Sequence, residues 1–239
     1  MSDPSGRFVT TQWNLVLTAG QQGAPEASDA LAALCQAYWH PLYVYARRRG
    51  KSAEDASDLT QSFFATVIEK SFLESADPDR GRFRTFLLTL FQRFLGQEYR
   101  REQTQKHGGH LKKIAFNFDA AEQLCLQNSA DVAPEVAFEK EWALTLLGHV
   151  MDRLAEDYQQ RGKSELFQKC RPWLNGNVDG ASEAKLAKEL GMTEGALRVA
   201  IHRLRERFRE LLRAEIAETI GPDTTVDEEL AHLRQALIG

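Results

Sequence analysis

The chain has 239 residues, 43% of them hydrophobic and 27% charged, with a net charge of −4. These values suit a soluble globular protein of one or two domains, and no apolar run approaches the roughly 18 residues of a membrane span. The polar opening "MSDPSGRFVTTQW" lacks the basic-then-apolar order of a secretory signal, and Cys35, Cys125 and Cys170 form neither a disulfide framework nor a zinc spacing. A cytoplasmic location is therefore expected, with no membrane partner.

Nearly all the periodicity is helical and strand-like alternation is absent, so the expected fold class is all-α. Residues "TTQWNLVL" are expected to pack on the first domain. Asp29 is placed to cap a helix bearing Leu31, Leu34, Cys35 and Tyr38, which Pro41 kinks or restarts and Gly50 ends. Ser52, with Asp55 three residues on, opens a helix reaching about Lys70. The loop "ESADPDRGR" precedes a helix from about Phe83 to Glu102 that buries Phe83, Phe86, Leu87, Leu90, Phe91 and Phe94. Its other side carries Thr85, Thr89, Gln92, Arg93, Gly96 and Arg100 within roughly a third of the circumference.

From Thr104 to Pro134 the periodicity lapses. "KHGGHLKK" and "NSADVAP" read as linker, and the apolar groups of "IAFNFDAAEQL" are expected to dock on an unspecified surface. His107 and His110 lack a Cys or acid at ligand spacing, so no metal or other cofactor is expected, and Cys125 reads as a small apolar residue. Regularity returns at Glu135 with a stripe of Ala143, Leu147, Val150, Met151, Leu154 and Tyr158. A short helix with Leu166, Phe167, Cys170 and Trp173 ends at "NGNVDG". Ser182 is then placed to cap one helix, Gly191 to make a turn and Thr193 to cap the next, which reads as a helix-turn-helix. The resulting organisation is a first helical domain over 1–103, a linker over 104–134, a helix-turn-helix domain over 135–214 and an acidic extension over 215–239.

The charge distribution is more informative than its sum. Residues 80–113 hold nine basic groups against Glu98 and Glu102, and residues 198–213 hold six arginines against Glu206 and Glu210. Two basic segments in an acidic chain look like two polyanion footprints. The extension from Glu215 carries six acids and one arginine, and it either sits on the arginine face of the preceding helix or stands as a solvated terminal helix. On that helix Leu197, Ala200, Ile201, Leu204, Phe208 and Leu211 share one face. Thr193, Glu194, Arg198, Val199 and His202, near its start, are best placed for base edges, and the later arginines Arg203, Arg209 and Arg213 for phosphates.

The stretch "SEAKLAKELGMTEGALRVAIHRLRERFRELL" resembles region 4, the C-terminal domain of extracytoplasmic-function (ECF) sigma factors of bacterial RNA polymerase. "YWHPLYVYARRRGKSAEDASDLTQSFFATVIEK" followed by "RGRFRTFLLTLFQRFLGQEYRRE" resembles region 2, their N-terminal domain. The resemblance implies a non-enzymatic transcription initiation factor whose partners are core RNA polymerase and promoter DNA. It implicates Asp55, Asp58, Leu59, Gln61 and Phe64 in core-polymerase binding. It assigns Asp79, Arg80, Arg82, Arg84, Thr85, Thr89, Gln92, Arg93 and Arg100 to melting and holding the −10 element. The helix-turn-helix would read the −35 element. Val199 stands where the family usually has a small polar residue and Ala200 where arginine is frequent, which affects the −35 sequence read. Regulation would come from a partner such as an anti-sigma factor or a regulatory kinase, from the acidic tail, or from modification.

Two other functions compete. A phosphoryl-transfer enzyme would use Glu54, Asp55 and Asp58 as metal ligands, but the Gly-rich phosphate cradle such chemistry needs is missing. A free-standing helix-turn-helix regulator would leave "DASDLTQ" and the first basic segment without a use.

Overall fold

Trp13 starts the first described helix, α1 (Trp13–Gly20), where it and Val16 supply the buried face. The computed structural model describes residues 13–21, 25–104, 117–118, 122, 132–174 and 180–238. Every regular element among them is helical: α2 (Pro25–Arg48), α3 (Ala53–Glu69), α4 (Phe83–Thr104), α5 (Pro134–Gln160), α6 (Ser164–Cys170), α7 (Gly180–Glu189), α8 (Glu194–Ala217) and α9 (Val226–Ile238), with short 3-10 turns at Phe72–Ser75, Pro78–Arg80 and Arg171–Leu174. The protein is all-α. No described helix is long and apolar enough to cross a membrane.

The chain divides into two compact units, one running to Leu146 and resuming at Ile216, the other spanning Leu147–Glu215. In the first unit α1 packs on α2, as "TTQWNLVL" suggests, and the Trp13 amide donates to the Glu218 carbonyl at 3.0 Å. α2 runs unbroken through Pro41 and begins at Pro25, ahead of Asp29. Tertiary burial outweighs the roughly 3 kcal/mol a mid-helix proline costs, since Leu42, Tyr43, Val44, Tyr45 and Ala46 around it are all buried. Gly50 ends this stretch with φ +83°, a left-handed conformation that a side chain would resist. Ser52 caps α3 as expected, its hydroxyl oxygen accepting the Asp55 amide at 3.0 Å.

The core of this unit is aromatic. Phe63 lies 4.9 Å from Phe91 and 5.6 Å from Phe94, and Phe83 meets Tyr38 at 5.5 Å and Trp13 at 5.9 Å, mostly edge to face. Each such pair adds about 0.5–1.5 kcal/mol beyond area burial. Two described residues of the linker, Phe118 and Glu122, meet α2. Phe118 packs 5.3 Å from both Trp39 and Tyr43, and Glu122 accepts from Arg47 at 2.9 and 2.6 Å. The Arg47 guanidinium holds the Glu122 carboxyl below its ordinary range. His107, His110 and Cys125 lie outside the described residues.

The second unit is built on the stripe expected from the sequence. Val150, Leu154 and Tyr158 of α5 cluster with Phe167 and Cys170 of α6, Leu186 and Ala187 of α7, and Leu197, Ile201, Leu204 and Leu211 of α8. α7 starts at Gly180, so Ser182 lies inside the helix rather than at its cap. Gly191 turns the chain at φ +63°, and the Thr193 hydroxyl oxygen accepts the Ala196 amide at 3.2 Å at the start of α8.

The acidic extension does not form a unit of its own; it belongs with the first. Glu229 of α9 pairs with Arg82 at 2.7 Å and Arg84 at 2.6 Å, and His232 lies 3.2 Å from Glu139. A seat on the α8 arginines is thus replaced by one on the first basic segment. A buried carboxylate needs close cationic partners, and these two arginines supply them.

Candidate nucleic-acid interface

α3 presents an acidic outer face because most of its apolar residues point inward. Ala56, Leu59, Thr60, Phe63, Phe64 and Val67 are buried, while Glu54, Asp55 and Asp58 are exposed and Gln61 is half-buried beside Ser57. Leu59 and Phe64, expected to touch a partner, are core residues. The i, i+4 spacing of Leu59 with Phe63 and the i, i+3 spacing of Phe64 with Val67 carried that signal in the sequence. Ile68, 47% exposed two turns beyond Gln61, is the apolar group on the acidic face that sequence reasoning missed.

The loop after α3 is shaped by Asp77, whose carboxylate accepts the Asp79 amide at 3.0 Å, and by Gly81 at φ +106°. Arg80 projects into solvent, paired with Asp77 at 3.2 Å. Arg82 is largely covered by its contact with Glu229. Arg84 departs most from expectation. It was placed on the polar face of α4, but it is only 1% exposed. Its Nε donates to Glu139 at 2.8 Å, and its guanidinium sits 4.0 Å over the Trp142 ring. At about 100° per residue, position 84 lines up with the buried Leu87, Leu88 and Phe91, so its side chain enters the interior, where the C-terminal helix covers it.

The remaining polar face of α4 holds together. Thr85, Gln92, Arg93 and Arg100 are exposed, and Thr89 is half-buried with its hydroxyl on the Thr85 carbonyl at 2.8 Å. Gln92 is fixed by Tyr45, to whose hydroxyl it donates at 3.0 Å, and by Glu135 at 3.4 Å. Burial pushes the Tyr45 hydroxyl above its ordinary value, keeping it neutral. The Arg100 Nε donates to the Gly96 carbonyl at 3.0 Å. Tyr99, 57% exposed, falls on the same face two turns beyond Gln92. An exposed ring among cations and amides offers a stacking surface for an unpaired base, and its spacing was legible in the sequence.

In the second unit Thr193, Glu194, Arg198, Val199, His202, Arg203, Arg209 and Arg213 are all exposed on α8. Leu197, Ile201, Leu204 and Leu211 anchor the other side. Arg198 contacts Glu183 of α7 and lies 3.5 Å from Glu194, and His202 lies 3.5 Å from Glu206. Acids therefore engage the outward groups near the start of α8 more than the helix's own sequence suggests, since Glu183 comes from the preceding helix. Arg205 and Arg207 serve the fold. Arg205 donates to the Trp173 carbonyl at 3.1 and 2.7 Å, and Arg207 bridges Asp157 at 3.1 Å and Glu210 at 3.0 Å. Val199, 50% exposed, and Arg203 border a cleft of about 510 Å³ shared with Tyr158, Lys163 and Met192.

Residues 34–105, the stretch that forms most of α2, α3 and α4, match the family model of sigma-70 region 2. The match identifies a sigma-70 region 2 domain over these residues, about a third of the chain. No curated protein and no solved structure matches the chain.

Proposed function

Taking the sigma-70 region 2 match as the premise, we propose that the chain is an extracytoplasmic-function type sigma factor. It binds core RNA polymerase and directs promoter recognition, with the first unit taking the −10 element and α8 reading the −35 element. The observation that carries this reading is order: a region 2 match over 34–105 is followed by a glycine-turned, threonine-capped helix pair over 180–217.

Each surface has chemistry suited to its role. The exposed acids Asp55 and Asp58, with Gln61 and Ile68, suit a basic and partly apolar surface of the polymerase. Arg80, Thr85, Thr89, Gln92, Arg93 and Arg100, with Asp79 in the loop and Tyr99 among them, suit unstacked bases on a charged backbone. Stacking there contributes about 1–3 kcal/mol per base. Thr193, Glu194, Arg198, Val199 and His202 lie in the first turns of α8, the part of a recognition helix that enters the major groove. Arg203, Arg209 and Arg213 follow where backbone phosphates would lie. Arg198 must exchange its carboxylate partners for a base edge, a step favouring a strong bidentate acceptor such as guanine.

The test is co-migration of the purified full chain with core RNA polymerase in gel filtration, followed by promoter-dependent transcription from the reconstituted complex. Association and specific initiation are expected. Sequence-specific DNA binding without polymerase association would overturn the proposal in favour of a free-standing regulator.

A further inference from the structure

The C-terminal segment covers residues that a −10 strand would otherwise meet. Glu229 is 0% exposed, yet its carboxylate is not held as a structural pair normally is. Its oxygens lie 2.7 and 2.6 Å from Arg82 Nε and Arg84 Nη2, but those four atoms have no aligned hydrogen-bond partner. Charge is satisfied and direction is not. The chain leading into α9 is pressed onto the same loop: a Cβ on Gly221 would stand 2.3 Å from the Pro78 carbonyl oxygen, inside any tolerable contact. Residues 221–229 thus lie over Pro78 and the arginines at 82 and 84.

α9 is also lightly anchored. Its buried residues are Glu229, Leu233 and Ala236, whereas α3, only four residues longer, buries Ala56, Leu59, Phe63, Phe64 and Val67. A 13-residue helix is marginal without tertiary support, and elements with few buried apolar contacts open first. An exposed capping box sustains the helix itself. Glu228 accepts from the Thr225 amide and hydroxyl, both at 2.8 Å, which holds its first turn.

We infer that Arg82 and Arg84 form an anion seat for a DNA backbone phosphate, which the chain fills with Glu229, and that α9 is a detachable acidic latch over the −10 loop. The inference rests on the sigma-factor reading above. The carboxylate stands in for the phosphate, and the tail's acids give the latch the charge of the ligand it imitates. A phosphodiester presents tetrahedrally arranged oxygens to two guanidinium groups, a geometry for which arginine is well suited.

Hydrogen exchange of residues 226–238 is to be compared between the free chain and the full chain bound to core polymerase and a forked DNA with a single-stranded −10 segment. Exchange in α9 should quicken about tenfold in the complex while α3 holds its protection; coupling of this size is ordinary between linked sites. Gly221→Ala pushes the segment off Pro78 without touching a charge. It should tighten DNA binding by the polymerase complex about tenfold at low salt, with the gain shrinking as salt rises. Adding Arg82→Gln to Gly221→Ala should cancel that gain. Unchanged or slower α9 exchange in a complex that holds DNA overturns the latch, as does Gly221→Ala with unaltered or weaker binding. Those results leave the sigma-factor reading standing, whereas failure of the chain to join polymerase or initiate transcription removes both.

Discussion

Arg84 is where the structure departs most sharply from a surface DNA contact, and its replacement by methionine tests that assignment. Methionine keeps an unbranched apolar stem and removes the guanidinium. The variant loses the 2.8 Å bond to Glu139, the 2.6 Å contact with Glu229 and the stack over Trp142. Breaking a buried ion pair from one side costs about 3–5 kcal/mol, and a desolvated cation–π contact about 2 kcal/mol. These losses overlap and are not summed. Arg82 still faces Glu229, which places Arg84→Met near the lower end, at about 3 kcal/mol.

Removing the opposing charge should restore much of this. Arg84→Met with Glu229→Leu leaves an apolar pair, and Arg82 and Glu139, both partly exposed, can turn to water. The double variant should fall within about 1–2 kcal/mol of the parent, because replacing both partners of a buried pair is often nearly neutral. Urea unfolding of the full chain measures the difference, and hydrogen exchange in α4 assigns it to the first unit. A loss below about 1 kcal/mol for Arg84→Met, or a double variant no better than the single, would refute the buried-network reasoning.

Three further outcomes follow from the other surfaces. Asp58→Arg, on the exposed face of α3, should weaken pull-down of core polymerase by at least tenfold while Phe64→Ala acts through folding, at about 3–5 kcal/mol of stability; undiminished capture by Asp58→Arg removes this face from the interface. Arg198→Ala should relax base preference at one −35 position, whereas Arg209→Ala, about 17 Å further along α8, should weaken all sequences alike; a site selection showing the reverse would invert the helix orientation. Burial lowers the His40 ring to about 4, so its titration by NMR should appear near there, and a midpoint close to 6.5 would contradict the burial. The ring is neutral when folded and protonates when unfolded, so its stabilising effect is complete above pH 6.5 and is lost as pH falls towards 4, on the order of 3 kcal/mol. Glu141, 3.4 Å away and itself raised by burial, acts in the opposite sense as pH climbs past the ordinary carboxylate range, so the net loss is smaller.

Local signals carried the helices well. Ser52, Gly50, Gly191 and Thr193 act at the backbone, within a few residues of themselves, and each does what its chemistry dictates. Pro41 misled because helix continuity there is decided by burial of its neighbours, which no local rule contains. The same limit applies to the candidate sites. A helical wheel separates Leu197 and Leu204 from Arg198 and His202 because one helix decides it. It puts Arg84 in line with Leu88 and Phe91 but cannot supply the partners that let an arginine be buried there, since Glu139, Trp142 and Glu229 lie between 55 and 145 positions later in the chain. Leu59 and Phe64 were assigned to the partner face through the family resemblance, against a periodicity that already marked them as core.

The buried arginines also change what a basic segment means for binding. Residues 80–113 count nine basic groups, but Arg82 and Arg84 are engaged by Glu229 and Glu139. Arg101 shares an exposed pair with Glu98, which is weak and exchangeable. With the latch closed, Arg80, Arg93, Arg100 and Arg101 carry the described outward charge of this segment. Opening it frees Arg82 and carries the acids of α9 away from the loop, so the footprint grows without any change in composition. Each phosphate neutralised steepens the salt dependence of binding by about 0.7 for single-stranded DNA. DNA displaces α9 in the parent complex, so the parent should show a slope steeper than that of Arg82→Gln by about 0.7, corresponding to one phosphate contact. Equal slopes would mean that Arg82 never meets the backbone and that the first unit keeps it for its own interior.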